Sequence, residues 1–216
     1  MAYRHVIWDF NGTLLDDTEL GINIINSMLA KRGLASLSRQ QYLEIFGFPI
    51  LDYYSKAGFD FEKYVFAELA DEYIALYDAG FESCSLHKGA RQAIEQIREA
   101  GLTQSVLTAS SQSAIERQLG HFGIAGYFSP VTGDSDHHAS GKVKLVGRHM
   151  SSLDVPRGEI LFIGDTLHDK EVADEIGCSC LLASFGHQNG ERLKQTGLPV
   201  VGSFDEILSH IFGNRR

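Results

Sequence analysis

Four short runs of strand-forming residues set the frame for this chain: His5–Asp9 (H-V-I-W-D), Thr103–Thr108 (T-Q-S-V-L-T), Glu159–Gly164 (E-I-L-F-I-G) and Cys178–Ala183 (C-S-C-L-L-A). Each is too short for an ordinary helix, and Asn11-Gly12 stops the first as a turn stops a buried strand. Helical stretches follow the first three runs, at Asp17–Arg32, Ser111–Phe122 and His168–Ile176. This alternation predicts an α/β fold, a doubly wound parallel sheet covered by helices on both faces. Ligands of such sheets bind beyond the carboxyl ends of the strands, where the strand order reverses.

One stretch departs from the alternation. From Asp17 to Cys84 only helical periodicity is visible, with Ile22, Ile25 and Leu29, then Phe66, Leu69, Tyr73, Leu76 and Tyr77, at three- and four-residue intervals. A crossover between parallel strands needs a single helix, so this segment predicts an inserted all-helical module. The expected division is an α/β core of residues 1–16 and 85–216 with a helical cap of residues 17–84. The competing reading is that these helices simply cover the sheet.

Composition narrows the function classes. Among 216 residues, 28 acidic against 19 basic give a formal net charge of −9, which carries no electrostatic footprint for nucleic acid. No apolar run approaches the roughly 20 residues that span a bilayer, so no membrane partner is expected. Met1-Ala2-Tyr3-Arg4-His5 carries no secretory-leader pattern. Three cysteines, Cys84, Cys178 and Cys180, are too few and too odd for a disulfide framework and predict a cytoplasmic location.

The chemistry collects at the strand ends. They deliver Asp9-Phe10-Asn11-Gly12-Thr13, Thr108-Ala109-Ser110-Ser111 and Gly164-Asp165-Thr166-Leu167-His168-Asp169. In a parallel sheet Asp9, Asp165 and Asp169 converge from neighbouring loops. Three anions close together need a cation, and an all-oxygen donor set suits Mg²⁺. The plainer alternative is that each aspartate caps a helix.

These residues resemble signatures of the haloacid dehalogenase superfamily. Asp9-Phe10-Asn11-Gly12-Thr13-Leu14 is similar to its first signature, which reads Asp-x-Asp-Gly-Thr in the phosphatases. Thr108 resembles the second, Lys142 in Ala139-Ser140-Gly141-Lys142-Val143-Lys144 the third, and Gly164–Asp169 the fourth. The order and spacing fit nearly the whole chain, and the small phosphoglycolate-phosphatase-like group is the most similar. The resemblance implies a Mg²⁺-dependent hydrolase of small phosphate monoesters. Asp9 is then the nucleophile that forms an aspartyl-phosphate. It implies Asp9, the backbone carbonyl of Asn11, Asp165 and Asp169 as the metal set. Thr108 and Lys142 then hold the phosphoryl oxygens, with Gly12, Thr13, Ala109, Phe48 and His168 around the substrate. Phe46-Gly47-Phe48-Pro49-Ile50 is the part of the cap expected over the pocket.

Asn11 departs from the pattern. It stands where these phosphatases keep a general acid–base, and an amide has no titratable proton near neutral pH. Losing such a group typically costs roughly 10²–10⁴ in rate. The expectation is a slowed phosphatase. The alternatives are another reaction of the superfamily, or a catalytically impaired protein that binds phosphate ligands. His168, His137 and His138 are candidate replacement acids.

Overall fold

Val6 and Trp8 pack into one apolar cluster and Ile7 into another, and none of the three is exposed to solvent. Alternate side chains of one strand therefore enter two different cores, as a strand covered on both faces requires. The computed structural model describes residues 3–134 and 142–213. His137 and His138 lie outside the described residues.

In chain order the elements are β1 (His5–Trp8), β2 (Leu15–Asp16), α1 (Thr18–Ala30), α2 (Arg39–Ile45), α3 (Ile50–Ala57) and α4 (Phe66–Gly80). Then come β3 (Ser85–Leu86), α5 (Ala90–Glu99), β4 (Thr103–Ser111), α6 (Gln112–His121), β5 (Val131–Asp134) and α7 (Val146–Met150). The chain continues with β6 (Ile160–Gly164), α8 (Leu167–Ile176), β7 (Ser179–Ala183), α9 (Gly190–Lys194), β8 (Val200–Val201) and α10 (Phe204–Phe212). A six-stranded sheet in the order β5-β4-β1-β6-β7-β8 forms the centre, and every pairing in it is parallel. One face carries α5, α6 and α10 through Ile94, Ile97, Ile115, Leu119 and Ile207. The other carries α7, α8 and α9 through Val146, Val172, Ile176 and Leu193.

The chain builds outward from β1 through β4 to β5, then crosses to β6 and builds the other way. The carboxyl end of β1 is thus the switch point of this sheet, and Asp9 sits there. The four predicted strands are present. β5 and β8 are additional, and β4 runs on past a register shift to Ser111, whose side chain caps α6 by accepting from Ala114 N at 3.2 Å.

Helices α1 to α4 gather around a third cluster that includes Ile25, Met28, Leu29, Tyr42 and Tyr54. The chain enters and leaves this segment through an antiparallel ribbon, Leu15 opposite Leu86 and Asp16 opposite Ser85. These helices share a core of their own. No helix among the described residues is long and apolar enough to cross a membrane.

Candidate active site

The turn after β1 is tight: Phe10 O accepts from Thr13 N, Leu14 N and Leu15 N. Gly12 adopts φ +72°, and a Cβ there would collide with the Asp165 carboxylate and the His187 ring. Only glycine allows the turn to press this closely on its neighbours. Gly164 is needed for a similar reason, because a Cβ would occupy the place of the Asp169 carboxylate.

Asp9, Asp165 and Asp169 are all buried and present carboxylate oxygens within 4.8 Å of one another. Lys142, 1% exposed, joins two of them: its Nζ lies 2.6 Å from Asp9 Oδ2 and also donates to Asp169 Oδ1. Asp9 Oδ1 accepts from Phe10 N at 2.7 Å. Asp165 accepts from Thr13 Oγ1 and from His187 N, both at 2.7 Å. The second oxygen of Asp169 takes Thr166 N and Thr166 Oγ1 in the capping box of α8. Capping a helix and facing the cluster are therefore not alternatives for Asp169. Lys144, the other lysine of its segment, turns away to Asp134 at 3.1 Å.

Burial is the main cause that pushes the Asp9 carboxyl up to about 8, with the charges of Asp169 and Asp165 adding to it against Lys142. Asp165 is pushed up to about 6, chiefly by burial, with Asp169 adding and His187 opposing. Burial opposes ionisation of Asp169 too, yet Lys142 and the Thr166 hydrogen bonds hold it below the ordinary carboxylate range. The cluster is short of positive charge. A hard divalent cation with oxygen ligands would meet that need, so the residues fit Mg²⁺.

Beside this cluster stands a second buried network that the sequence reading does not anticipate. Asp17 occupies the N-cap position of α1 but makes no side-chain bond to that helix. It accepts instead from Gly12 N at 2.8 Å, Asn11 Nδ2 at 2.9 Å, Tyr77 OH at 2.5 Å and His187 Nε2 at 3.1 Å. Burial would raise its carboxyl, but the charge of His187 and these hydrogen bonds outweigh it and hold Asp17 low. His187 is likewise opposed by burial, and Asp17, Asp165 and Asp9 together raise it to about 9. The amide of Asn11 is fully engaged: Nδ2 also donates to Tyr77 OH at 2.6 Å, and Oδ1 accepts from Ser110 Oγ at 2.8 Å.

A cavity of about 260 Å³ lies between the sheet edge and the helical segment. Asp9, Asn11, Thr108, Ala109 and Lys142 line it from below, and Phe46, Phe48 and Ile50 from above. These are places that the sequence assigns to the pocket. Gly12, Thr13 and His168 are not among the lining residues, and their donors are used elsewhere. Gly12 N serves Asp17 and Thr13 Oγ1 serves Asp165. His168 Nε2 accepts from Lys142 N at 2.8 Å, so Nδ1 carries the proton and donates to Glu171 at 2.7 Å. His168 therefore holds the Lys142 backbone and has no ring nitrogen free for a leaving group.

Residues 6–183 match the family model for the haloacid dehalogenase-like hydrolases. The chain belongs to that family. A relative in Rhodobacter capsulatus, named phosphoglycolate phosphatase, is 25% identical over 207 residues, covering 94% of this chain and 92% of the relative. A haloacid dehalogenase-like hydrolase from Streptococcus pneumoniae superposes with a TM-score of 0.83 at 18% identity, covering 96% of this chain and 98% of that one. Mycobacterium tuberculosis Protein Tyrosine Kinase A superposes at 0.81 with 22% identity, covering 98% and 99%. Likenesses at such identities show the fold alone, so the chemistry of this haloacid dehalogenase-like chain must be argued from its own residues.

Proposed function

We propose that this family member is a phosphatase that hydrolyses small phosphate monoesters through Asp9, with residues 1–16 and 85–216 as the catalytic core and 17–84 as its cap. The observation that carries the reading is Asp9 at the switch point of the sheet. Lys142 is bound to its carboxylate, two further carboxylates stand alongside, and a covered cavity opens above it. An oxygen of Asp9 attacks phosphorus; the Asp9–phosphorus bond forms as the ester P–O bond breaks, and water then cleaves the aspartyl-phosphate. Lys142 and the Thr108 hydroxyl hold phosphoryl oxygens, and Lys142 also keeps Asp9 oriented through its second bond to Asp169. Asp9, Asp165, Asp169 and the Asn11 carbonyl would hold Mg²⁺, which when bound screens the charge between nucleophile and substrate. The helical segment keeps bulk water from the site while the acyl phosphate forms, and hydrolysis then requires a water molecule to be admitted.

The relative's name supports this reading, as does the oxygen-only character of the acidic cluster. Asn11 lends no proton to the departing oxygen, so esters with poor leaving groups turn over slowly. Three free thiols, Cys84, Cys178 and Cys180, suit a reducing cytoplasm. The test is hydrolysis of p-nitrophenyl phosphate with and without Mg²⁺. Wild type is expected to turn over only with the metal, and Asp9→Asn to lose at least about 10³-fold. Full activity in Asp9→Asn would refute the nucleophile. No turnover by wild type, with phosphate binding retained, would make the chain a binding protein.

A further inference from the structure

The organic part of the ligand has to meet the walls of the cavity, and their chemistry is uneven. Above the carboxylates, Phe46, Phe48, Tyr53, Tyr54, Phe66 and Tyr73 supply six rings. Among the described residues, the cations that line the cavity each face a carboxylate of this chain. Lys142 is held by Asp9 and Asp169, His187 by Asp17 at 3.1 Å, and Arg117 by Asp78 at 2.5 Å. None of the basic residues of the helical segment lines the cavity: Lys31 and Arg32 pair with Glu72, Arg39 with Glu19 and Lys63 with Asp60, and Lys56 stands away from it. A substrate carboxylate entering here would be desolvated with no cation left to receive it, beside Asp17 and Asp78.

Two polar atoms of lining residues are unpaired, but both are neutral and sealed from the cavity. Tyr53 OH and Gln118 Oε1 are buried, belong to lining residues and have no hydrogen-bond partner. With those two atoms out of a ligand's reach, the aromatic wall and the lack of an uncommitted cation are what suit a neutral ring. A cavity of about 150 Å³ already admits benzene, so the larger volume here holds a phosphoryl group with a ring beside it.

We propose that the ligand of this site is a phosphate monoester of a neutral, ring-sized alcohol or phenol, rather than a phosphorylated carboxylic acid. The proposal rests on the phosphatase reading for the reaction, but not for binding. Its test compares phenyl phosphate, 2-phosphoglycolate and phosphocholine as substrates with Mg²⁺. Phenylphosphonate and phosphonoacetate are then measured as non-hydrolysable ligands by calorimetry. Phenyl phosphate is expected to show a KM at least roughly tenfold below both other esters, a readout its better leaving group does not supply, and phenylphosphonate to bind at least roughly tenfold tighter than phosphonoacetate. Ile74 lines the cavity from α4 and is half-buried, and Ile74→Arg, which adds an uncommitted cation, is expected to shrink both ratios.

Turnover of 2-phosphoglycolate or phosphocholine with a KM equal to or below that of phenyl phosphate would overturn the proposal while leaving the phosphatase reading intact. Turnover of no ester, with phenylphosphonate still preferred, would uphold the ligand class and refute hydrolysis. Absence of any preference in binding and turnover would overturn the proposal outright, as would ratios in Ile74→Arg identical to wild type.

Discussion

The Asn11 amide donates twice from Nδ2 and accepts once at Oδ1. An aspartate at this position would keep the acceptor and lose both donors, setting a second carboxylate against Asp17 Oδ2 in a buried place. Asn11→Asp is expected to cost roughly 1–3 kcal/mol, the penalty for an unsatisfied buried group. In Asn11→Asp/Asp17→Asn the two positions exchange donor and acceptor, and the loss should fall short of the sum of the single losses by at least about 1 kcal/mol. Urea unfolding of the four proteins measures this, and strictly additive losses would separate the two residues. The oddity of Asn11 is legible in the sequence, because it interrupts a recognisable motif. Its reason is not. In the sequence Asp17 only opens a helical stretch, and folding alone brings Tyr77 and His187 to it from distant parts of the chain.

At the element level, α9 and the loop leading into it grip the helical segment. Arg192 Nη1 donates to Phe46 O at 2.6 Å and Glu44 O at 3.1 Å, and Gln188 Nε2 donates to Phe46 O at 2.9 Å. Phe46 stacks on His187, and Phe48 on His168, with ring centroids 4.8 and 4.6 Å apart. The connector between α2 and α3 is thereby tied to the sheet side of the cavity. Arg192→Ala is expected to speed amide hydrogen exchange in α2 and α3 several-fold and to leave the central strands protected. Unchanged exchange there would show that Arg192 contributes nothing to the grip. The predicted strands β1, β4, β6 and β7 are legible because each is a distinct apolar run. By contrast β8 spans two residues, and β5 is four residues that include Gly133 and Asp134, too little pattern for a periodicity to register. Helix α5 is not singled out in the sequence reading, although Ala90, Ala93, Ile94 and Ile97 stand at helical spacing, because it lies before its strand and so outside the strand-then-helix order.

The whole molecule carries buried histidines of opposite sign. His5 Nε2 meets Ser105 Oγ at 2.7 Å, Ser105 Oγ meets His149 Nε2 at 2.9 Å, and His149 Nδ1 meets Thr132 Oγ1 at 2.9 Å. Burial lowers both rings from 6.5 to about 4. Unfolded chains take up these protons first, so this contribution to stability is complete above pH 6.5 and lost as the pH falls through about 4. His187 runs the other way: raised to about 9, it contributes fully below pH 6.5 and progressively less as the pH rises through about 9. His149→Gln should flatten the acid limb of a stability–pH curve, and His187→Gln the alkaline limb. An acid limb in His149→Gln as steep as in wild type would clear the buried chain of responsibility.

The paired strands β2 and β3 have a consequence for how such a molecule diversifies. Because the outgoing and returning strands lie side by side, most of what is strung between them can be lengthened, shortened or traded without moving the central sheet, so long as Asp17 and Tyr77 still meet Asn11 and Gly12. Selection can then remodel the upper walls of the cavity while the strand tips below keep their places, and the two histories need not run in step.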